Sequence, residues 1–274
     1  MALEVDSPIV VAGAGKMGGA LIWGLLASGL DGASIIVQDP QLPDNAGERF
    51  AKAGVTVVAE ISDLNKQPAI IVVAVKPQVM DDVFPQLARL AGPDTVVISI
   101  AAGKTIASFE KHLAPGIAVV RAMPNTPAAV GRGITACVAN DATAESKRQL
   151  ATTVLSALGA VVWIDDENQM DAVTAVSGSG PAYVFWLTEC LAAAGRDAGL
   201  PDELAAHLAR MTVSGSGELL FRSALSASEL RRNVTSPGGT TAAALDVLMA
   251  DDGLAPLMQR AVEAARKRGR ELSR

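Results

Sequence analysis

Short runs of β-branched and other apolar residues, separated by stretches of helical periodicity, fill the first 165 residues. The runs predict strands at "IVVA" (9–12), "SIIVQ" (34–38), "AIIVVAV" (69–75), "TVVISIA" (95–101), "IAVVR" (117–121), "ITACVA" (134–139) and "AVVWI" (160–164). A strand that is apolar along its whole length, without alternation, is buried on both faces. Helical stretches at 16–29, 43–53, 78–91, 104–113 and 143–158 separate most of these strands, so the expected fold is α/β, a mostly parallel sheet covered on both sides. After "DDENQ" (165–169) the strand signal stops. Segments 168–198, 201–223, 238–250 and 254–272 read as helices rich in Ala and Leu, with Pro201 at the first position of one of them. Two domains are therefore expected, 1–165 and 166–274, the second all-helical.

Composition narrows the function classes. Half of the residues are hydrophobic, yet there are only five Phe, three Trp and one Tyr, so the cores must be built from Ala, Val, Leu and Ile. The net charge of −6 argues against nucleic acid as a partner, because phosphate binding needs a basic surface. Arg266, Lys267, Arg268 and Arg270 cluster near the C-terminus, where they complement a helix dipole. Cys137 and Cys190 sit in apolar runs and are expected to be buried thiols, with no metal or disulfide spacing. "MALEVDSP" has no signal-peptide pattern, and the run 69–75 is far too short to span a bilayer. A cytoplasmic location is expected.

The first strand runs directly into "GAGKMG" (13–18), with Gly13, Gly15 and Gly18 in G-x-G-x-x-G spacing. Alone the pattern is weak; between a strand and a helix at the head of a βαβ unit it marks a Rossmann-type dinucleotide site. Gly13 permits the tight turn, Gly15 lets the backbone approach a pyrophosphate, and Gly18 allows helix and strand to pack closely. Ala14, Lys16 and Met17 complete the loop and open the helix. The acid expected at the end of the second strand is Asp39, which would accept the ribose hydroxyls of NAD and repel a 2′-phosphate, and which could equally be a turn former before Pro40. No Lys or Arg lies between Ser34 and Glu48 to hold that phosphate. "VAVKPQ" (73–78) brings Ala74, Val75, Lys76 and Pro77 to the carboxyl edge of the sheet, where cofactors lie, although Lys76 also reads as a solvated loop charge.

"SPGGTT" (236–241) precedes the apolar helical stretch "AAALDVL". It reads as a helix start with Ser236 or Thr240 as N-cap, or as an anion site in which two glycines leave backbone N–H groups uncovered. An obvious general acid is missing: Tyr183 has Leu187 rather than a Lys four residues on, and His112 and His207 fall in helical, charged surroundings. A hydride site without an acid suits a substrate that is already electrophilic, such as a protonated imine.

Together, "GAGKMGGAL" (13–21), "VAVKPQ" (73–78), "SIAAGKT" (99–105), "VRAMPNTPA" (120–128), "DAVTAVSGSGPAY" (171–183) and "LRRNVTSPGGTTAAAL" (230–245) resemble the pyrroline-5-carboxylate reductase family, in the family's order and over nearly the whole chain. The resemblance implies a nucleotide-binding domain followed by a helical dimerisation domain, and NAD(P)H-dependent reduction of (S)-1-pyrroline-5-carboxylate to L-proline. It further implies that Ala101, Ala102, Gly103, Met123, Pro124 and Asn125 surround the nicotinamide. By the same resemblance Ser236 and the amides of Gly239, Thr240 and Thr241 hold the substrate carboxylate, with the Thr241 hydroxyl near the ring nitrogen. Family members favour NADPH, from which Asp39 departs toward NADH. A homodimer, or an assembly of such dimers, is implied, with helices 168–198 and 201–223 apolar over much of their circumference. Two other readings stand beside this one: a β-hydroxyacid dehydrogenase or imine reductase, which needs an acid in the helical half, and a non-catalytic nucleotide sensor, which need not keep "SPGGTT".

Overall fold

The computed structural model describes residues 7–42, 45–61 and 66–272. The expectation drawn from residues 1–6 and the first two positions of the predicted helix 43–53 lie outside the described residues. The chain divides into two compact units, 1–178 with 266–274, and 179–265.

The first unit is built on one sheet. Its strands are β1 (Ile9–Ala12), β2 (Ile35–Gln38), β3 (Thr56–Val58), β4 (Ile70–Val73), β5 (Val96–Ser99), β6 (Ala118–Met123), β7 (Gly133–Ala139) and β8 (Gly159–Trp163). They lie in the order β3-β2-β1-β4-β5-β6-β7-β8 and pair in parallel except for β6 with β7. The antiparallel pair has a simple cause. Only the short 3-10 turn Thr126–Val130 joins the two strands, and a parallel return needs a crossover of a dozen residues or more. β3, absent from the sequence reading, is a three-residue edge strand, too short to carry an apolar pattern.

Helices α1 (Lys16–Ala27), α2 (Ala46–Lys52) and α5 (Glu145–Leu155) cover one face, where Leu21, Leu25, Phe50 and Val154 meet Ile9, Val11 and Val72. On the other face α3 (Met80–Ala88), α4 (Ile106–Glu110) and α6 (Met170–Val173) bring Phe84, Phe109 and Met170 against Val10, Ile71 and Val97. Burial on both faces is what the uninterrupted apolar strands require. The same packing carries this unit past the sequence boundary at 165/166. Met170 is buried in the second core and Ala175 is fully buried, so residues 166–178 pack with the sheet although the strand signal has ended. The single helix expected over 168–198 is broken into α6, a π-helical turn at Thr174–Gly178, and α7 (Gly180–Asp197). Pro181, in the first turn of α7, has no N–H to continue the earlier ladder.

The second unit contains α7, α8 (Asp202–Arg222), α9 (Ala227–Asn233), α10 (Thr240–Leu248) and the start of α11 (Leu254–Leu272). α9 escaped the sequence reading, although "SASE" carries its signal: Ser226 and Glu229 form a reciprocal capping box. Among the described residues of this unit, only Ala192, Ala205 and Ala209 are buried hydrophobics. Phe185, Trp186 and Phe221 are all more than 60% exposed in the single chain. Cys190, expected to be buried, is exposed for the same reason, since its face of α7 is uncovered. Cys137 is buried in β7, and desolvation pushes its thiol up to about 12, so it is no nucleophile at neutral pH. No helix among the described residues is long and apolar enough to cross a membrane.

Candidate active site

Register fixes where the residues expected to meet a cofactor fall. Ala12 pairs with Gln38 on one side and with Val73 on the other, Val73 with Ser99, and Ser99 with Arg121. The residues that follow these positions therefore emerge along one carboxyl edge: Gly13 after β1, Asp39 after β2, Ala74–Pro77 after β4, Ala101–Gly103 after β5, and Pro124–Asn125 after Met123 closes β6. β1 lies between β2 and β4, the point where the strand order reverses and where open α/β sheets bind ligands.

The glycine loop is shaped for close approach. Gly13 has φ +92°, which disfavours a side chain, and its N–H donates to the Gln38 carbonyl at 2.8 Å. A Cβ on Gly18 would stand 2.0 Å from the carbonyl oxygen of Gly13, so the helix meets the strand through a gap only glycine fits. Gly15 differs from both. A Cβ there would meet no protein atom within 4 Å, and its φ is an ordinary −64°. Gly15 is the N-cap of α1 and no side chain caps that helix, leaving first-turn N–H groups beside an uncovered backbone. This cradle fits a pyrophosphate. Asp39 is more than a turn residue: Oδ2 accepts the Ala14 N–H at 2.7 Å and Oδ1 accepts the Gln41 N–H at 2.9 Å. A carboxylate has about four acceptor positions, so two remain for a diol.

The "AAGKT" loop is tied down at its C-terminal end. Lys104 bonds Asp81 at 2.8 Å, and that hydrogen bond, with the attraction of the ammonium charge, holds the Asp81 carboxyl below its usual range. Thr105 caps α4 by accepting the Ser108 N–H. Asn125 accepts the Ile134 N–H through Oδ1 and donates Nδ2 to the Ser177 carbonyl at 3.1 Å. The sequence reading missed Arg121 and Glu167, which form a 2.8 Å ion pair in this region with the arginine buried. A single Arg inside the apolar run of β6 was the available signal. His112 and His207 are both exposed.

Ser236, Gly239, Thr240 and Thr241 belong to the second unit. The cap expected from Ser236 or Thr240 is replaced by Gly239, and no side chain caps α10. Gly238, at φ +68°, turns the chain into that position. The Gly239 N–H already donates to the Ser236 carbonyl at 3.0 Å, so its amide is engaged in the turn. The first-turn N–H groups of Thr240, Thr241 and Ala242 are the ones free of intrahelical bonds. Among the described residues, no group of three or more His, Cys, Asp or Glu is placed to hold a metal.

Comparison with known proteins agrees over both halves of the chain. Residues 167–272 match a family model for pyrroline-5-carboxylate reductase dimerisation, and residues 8–103 match one for NADP oxidoreductase, coenzyme F420-dependent. The chain is 41% identical over 268 residues to the pyrroline-5-carboxylate reductase of Pseudomonas aeruginosa, covering 97% of this chain and 96% of that one. The solved pyrroline-5-carboxylate reductase of Coxiella burnetii superposes with a TM-score of 0.91 at 36% identity, over 98% of this chain and 100% of the other. The Plasmodium falciparum pyrroline carboxylate reductase, solved with NADP bound, gives 0.81 at 28% identity, over 98% and 99%.

Proposed function

The chain belongs to the pyrroline-5-carboxylate reductase family, and from that premise we propose how its residues divide the work of the reaction. The activity is NAD(P)H-dependent reduction of 1-pyrroline-5-carboxylate to proline, the last step of proline biosynthesis. When bound, the reduced nicotinamide dinucleotide supplies the hydride that converts the imine carbon to the amine carbon of the ring. The backbone from Gly13 to Gly18 holds its pyrophosphate and Asp39 its ribose. Ala74–Pro77 border the dinucleotide, and Ala101–Gly103 with Met123–Asn125 border the nicotinamide. The uncovered Gly15 carries this reading, because no packing need explains a glycine there.

At the substrate the chain supplies an anion site and one hydroxyl. The N-terminus of α10, through the amides of Thr240 and Thr241 with Ser236 and Gly239 shaping the turn, holds the carboxylate. The Thr241 hydroxyl stands at the ring nitrogen and stabilises it as its charge changes. A protonated imine carries its own electrophilic charge, which accounts for a site without a dedicated acid. The helices of the second unit, 179–265, supply the dimer, and the protein works in the cytoplasm on a small molecule, not on nucleic acid or a membrane. The test is steady-state oxidation of NADH and of NADPH, in parallel, with pyrroline-5-carboxylate. Turnover with at least one coenzyme supports the reading, and none with either refutes it.

Two expectations follow from named residues. Asp39→Ser should lower the preference for NADH over NADPH roughly ten- to a hundredfold, since a hydrogen bond to a charged group is worth about 1.5–3 kcal/mol. Both coenzymes should also lose some affinity, because Asp39 anchors the Ala14 amide, so the ratio of kcat/KM values is the quantity to read. An unchanged ratio would leave Asp39 as a loop anchor only. For assembly, each exposed Phe or Leu of α7 and α8 gains about 1.5–3 kcal/mol when buried, and the unit has only three buried alanines of its own. The enzyme should therefore sediment as a homodimer at nanomolar concentration, and Trp186→Glu should dissociate it with loss of activity. A fully active monomer would overturn this.

A further inference from the structure

The carboxyl end of β6 has a face given over to one task. Arg121, Met123 and Asn125 alternate along extended chain and so project to the same side. There each meets the segment that follows β8. Arg121 Nη1 donates to Glu167 Oε1 at 2.8 Å, and Asn125 Nδ2 donates to the Ser177 carbonyl at 3.1 Å. Met123 Cε lies 2.7 Å from where a Cβ on Gly178 would stand. Glu167 Oε1 accepts a second bond, from the Ile106 N–H at 2.9 Å, at the start of α4 and directly after the "AAGKT" loop. One carboxylate oxygen thus joins the end of β6, the β5–α4 loop and the segment 167–178.

Stability alone does not call for this arrangement. Arg121 is 6% exposed, and its neighbours on that face, Val119 and Val138, belong to an apolar core. The Arg121 side chain is 7% and the Glu167 side chain 29% exposed, so the pair is desolvated mainly on the arginine side; such a pair gains little net stability over apolar residues, and its presence points to position. We propose that Arg121 and Glu167 are positioning residues for hydride transfer, holding residues 101–105 and 123–125 in fixed relation through a shared carboxylate oxygen. The proposal rests on the reading that these two stretches border the nicotinamide. Removing either partner frees the loop and the strand end to move separately, and a displacement of about 1 Å at a reacting centre can cost a hundredfold in rate.

The test uses the full-length enzyme with Arg121→Met, Arg121→Lys, Glu167→Ala and Glu167→Gln. In Arg121→Met and Glu167→Ala, kcat should fall roughly ten- to a hundredfold while the Kd of NAD(P)H, by fluorescence titration, changes by less than about threefold. The deuterium isotope effect on kcat with 4-deuterated coenzyme should rise as the chemical step becomes limiting. Arg121→Lys and Glu167→Gln, which keep a donor or an acceptor, should recover part of the loss. Amide exchange over residues 101–108 should quicken in both disruptive variants, with no coenzyme present. Lowered melting temperature with wild-type kcat would overturn the proposal, as would unchanged exchange over 101–108. Should Arg121→Met fail to fold, Glu167→Ala carries the same kinetic and exchange readouts. A wild-type enzyme inactive on pyrroline-5-carboxylate would refute the functional reading, and the exchange result would still decide whether the carboxylate anchors the loop.

Discussion

Gly15→Ala is expected to fold normally and to bind NAD(P)H roughly a hundredfold more weakly than the wild type. A Cβ at Gly15 meets no protein atom within 4 Å, and φ is −64°, which alanine adopts freely. Gly→Ala lowers the entropy of the unfolded chain by about 0.4–1 kcal/mol, and alanine is a poorer N-cap by a similar amount, so the melting temperature should hardly move. The coenzyme pyrophosphate loses its close approach to the first-turn N–H groups of α1. Two charge-assisted bonds at about 1.5–3 kcal/mol each are more than enough for the predicted loss. Gly18→Ala is the contrast. Its Cβ would lie 2.0 Å from the Gly13 carbonyl oxygen and 3.1 Å from the Ala74 Cβ, so backbone must shift, with overpacking worth about 1–3 kcal/mol or more. That variant should lose stability and coenzyme together. Thermal unfolding and fluorescence titration of both proteins separate the two cases, and an unchanged Kd for Gly15→Ala would show that no phosphate lies over it.

Much of the sheet unit was legible because its strands are buried on both faces and leave continuous apolar runs. β1 falls on the predicted residues Ile9–Ala12, and the other predicted strands shift by only a few positions. What escaped had physical reasons. β3 lies at the edge, short and half exposed, so no apolar run marks it. The reversal between β6 and β7 depends on the length of a connection, not on either strand's composition. The break in the helix after residue 173 did carry a local signal, since Thr, Val, Ser and Gly at 174–178 are poor helix formers and Pro181 follows, but the π form of the turn is not a matter of propensity and goes with tertiary contacts such as Asn125 with Ser177. The site shows the same division. G-x-G-x-x-G and the acid after β2 stand out in the sequence because a backbone cradle for a pyrophosphate takes glycines at fixed spacing from a strand. The Arg121–Glu167 pair was not, since residues 46 positions apart meet only through topology. The role of Asp39 in holding the Ala14 amide is likewise a contact across two strands that spacing cannot reveal.

Thr241→Val should lower kcat/KM for pyrroline-5-carboxylate roughly ten- to a hundredfold, with the loss carried mainly by kcat. The substitution keeps the shape and the β-branch and removes only the hydroxyl. That hydroxyl does not cap its helix: Gly239 occupies the N-cap and no side chain closes α10. Stability should therefore change little, and the isosteric side chain keeps its packing. Hydrogen bonds to charged groups are worth about 1.5–3 kcal/mol, which sets the range of the expected loss. As hydride reaches the neighbouring carbon the iminium nitrogen loses its positive charge and gains a lone pair, so a hydrogen bond from a hydroxyl donating to that nitrogen strengthens along the reaction. An interaction equal in substrate and transition state would alter KM alone, whereas one that grows toward the transition state alters kcat. Gly239→Val supplies the complementary case. A Cβ there would lie 3.2 Å from the Ser236 carbonyl oxygen, close enough to disturb the turn and cover the amides of Thr240 and Thr241. Substrate binding should suffer most, with a steep rise in KM. The Kd of NAD(P)H should stay near the wild-type value in both variants, because the groups assigned to the dinucleotide belong to the sheet unit. Wild-type kinetics for both, measured on folded dimer, would reduce "SPGGTT" to an uncapped helix start with no part in catalysis.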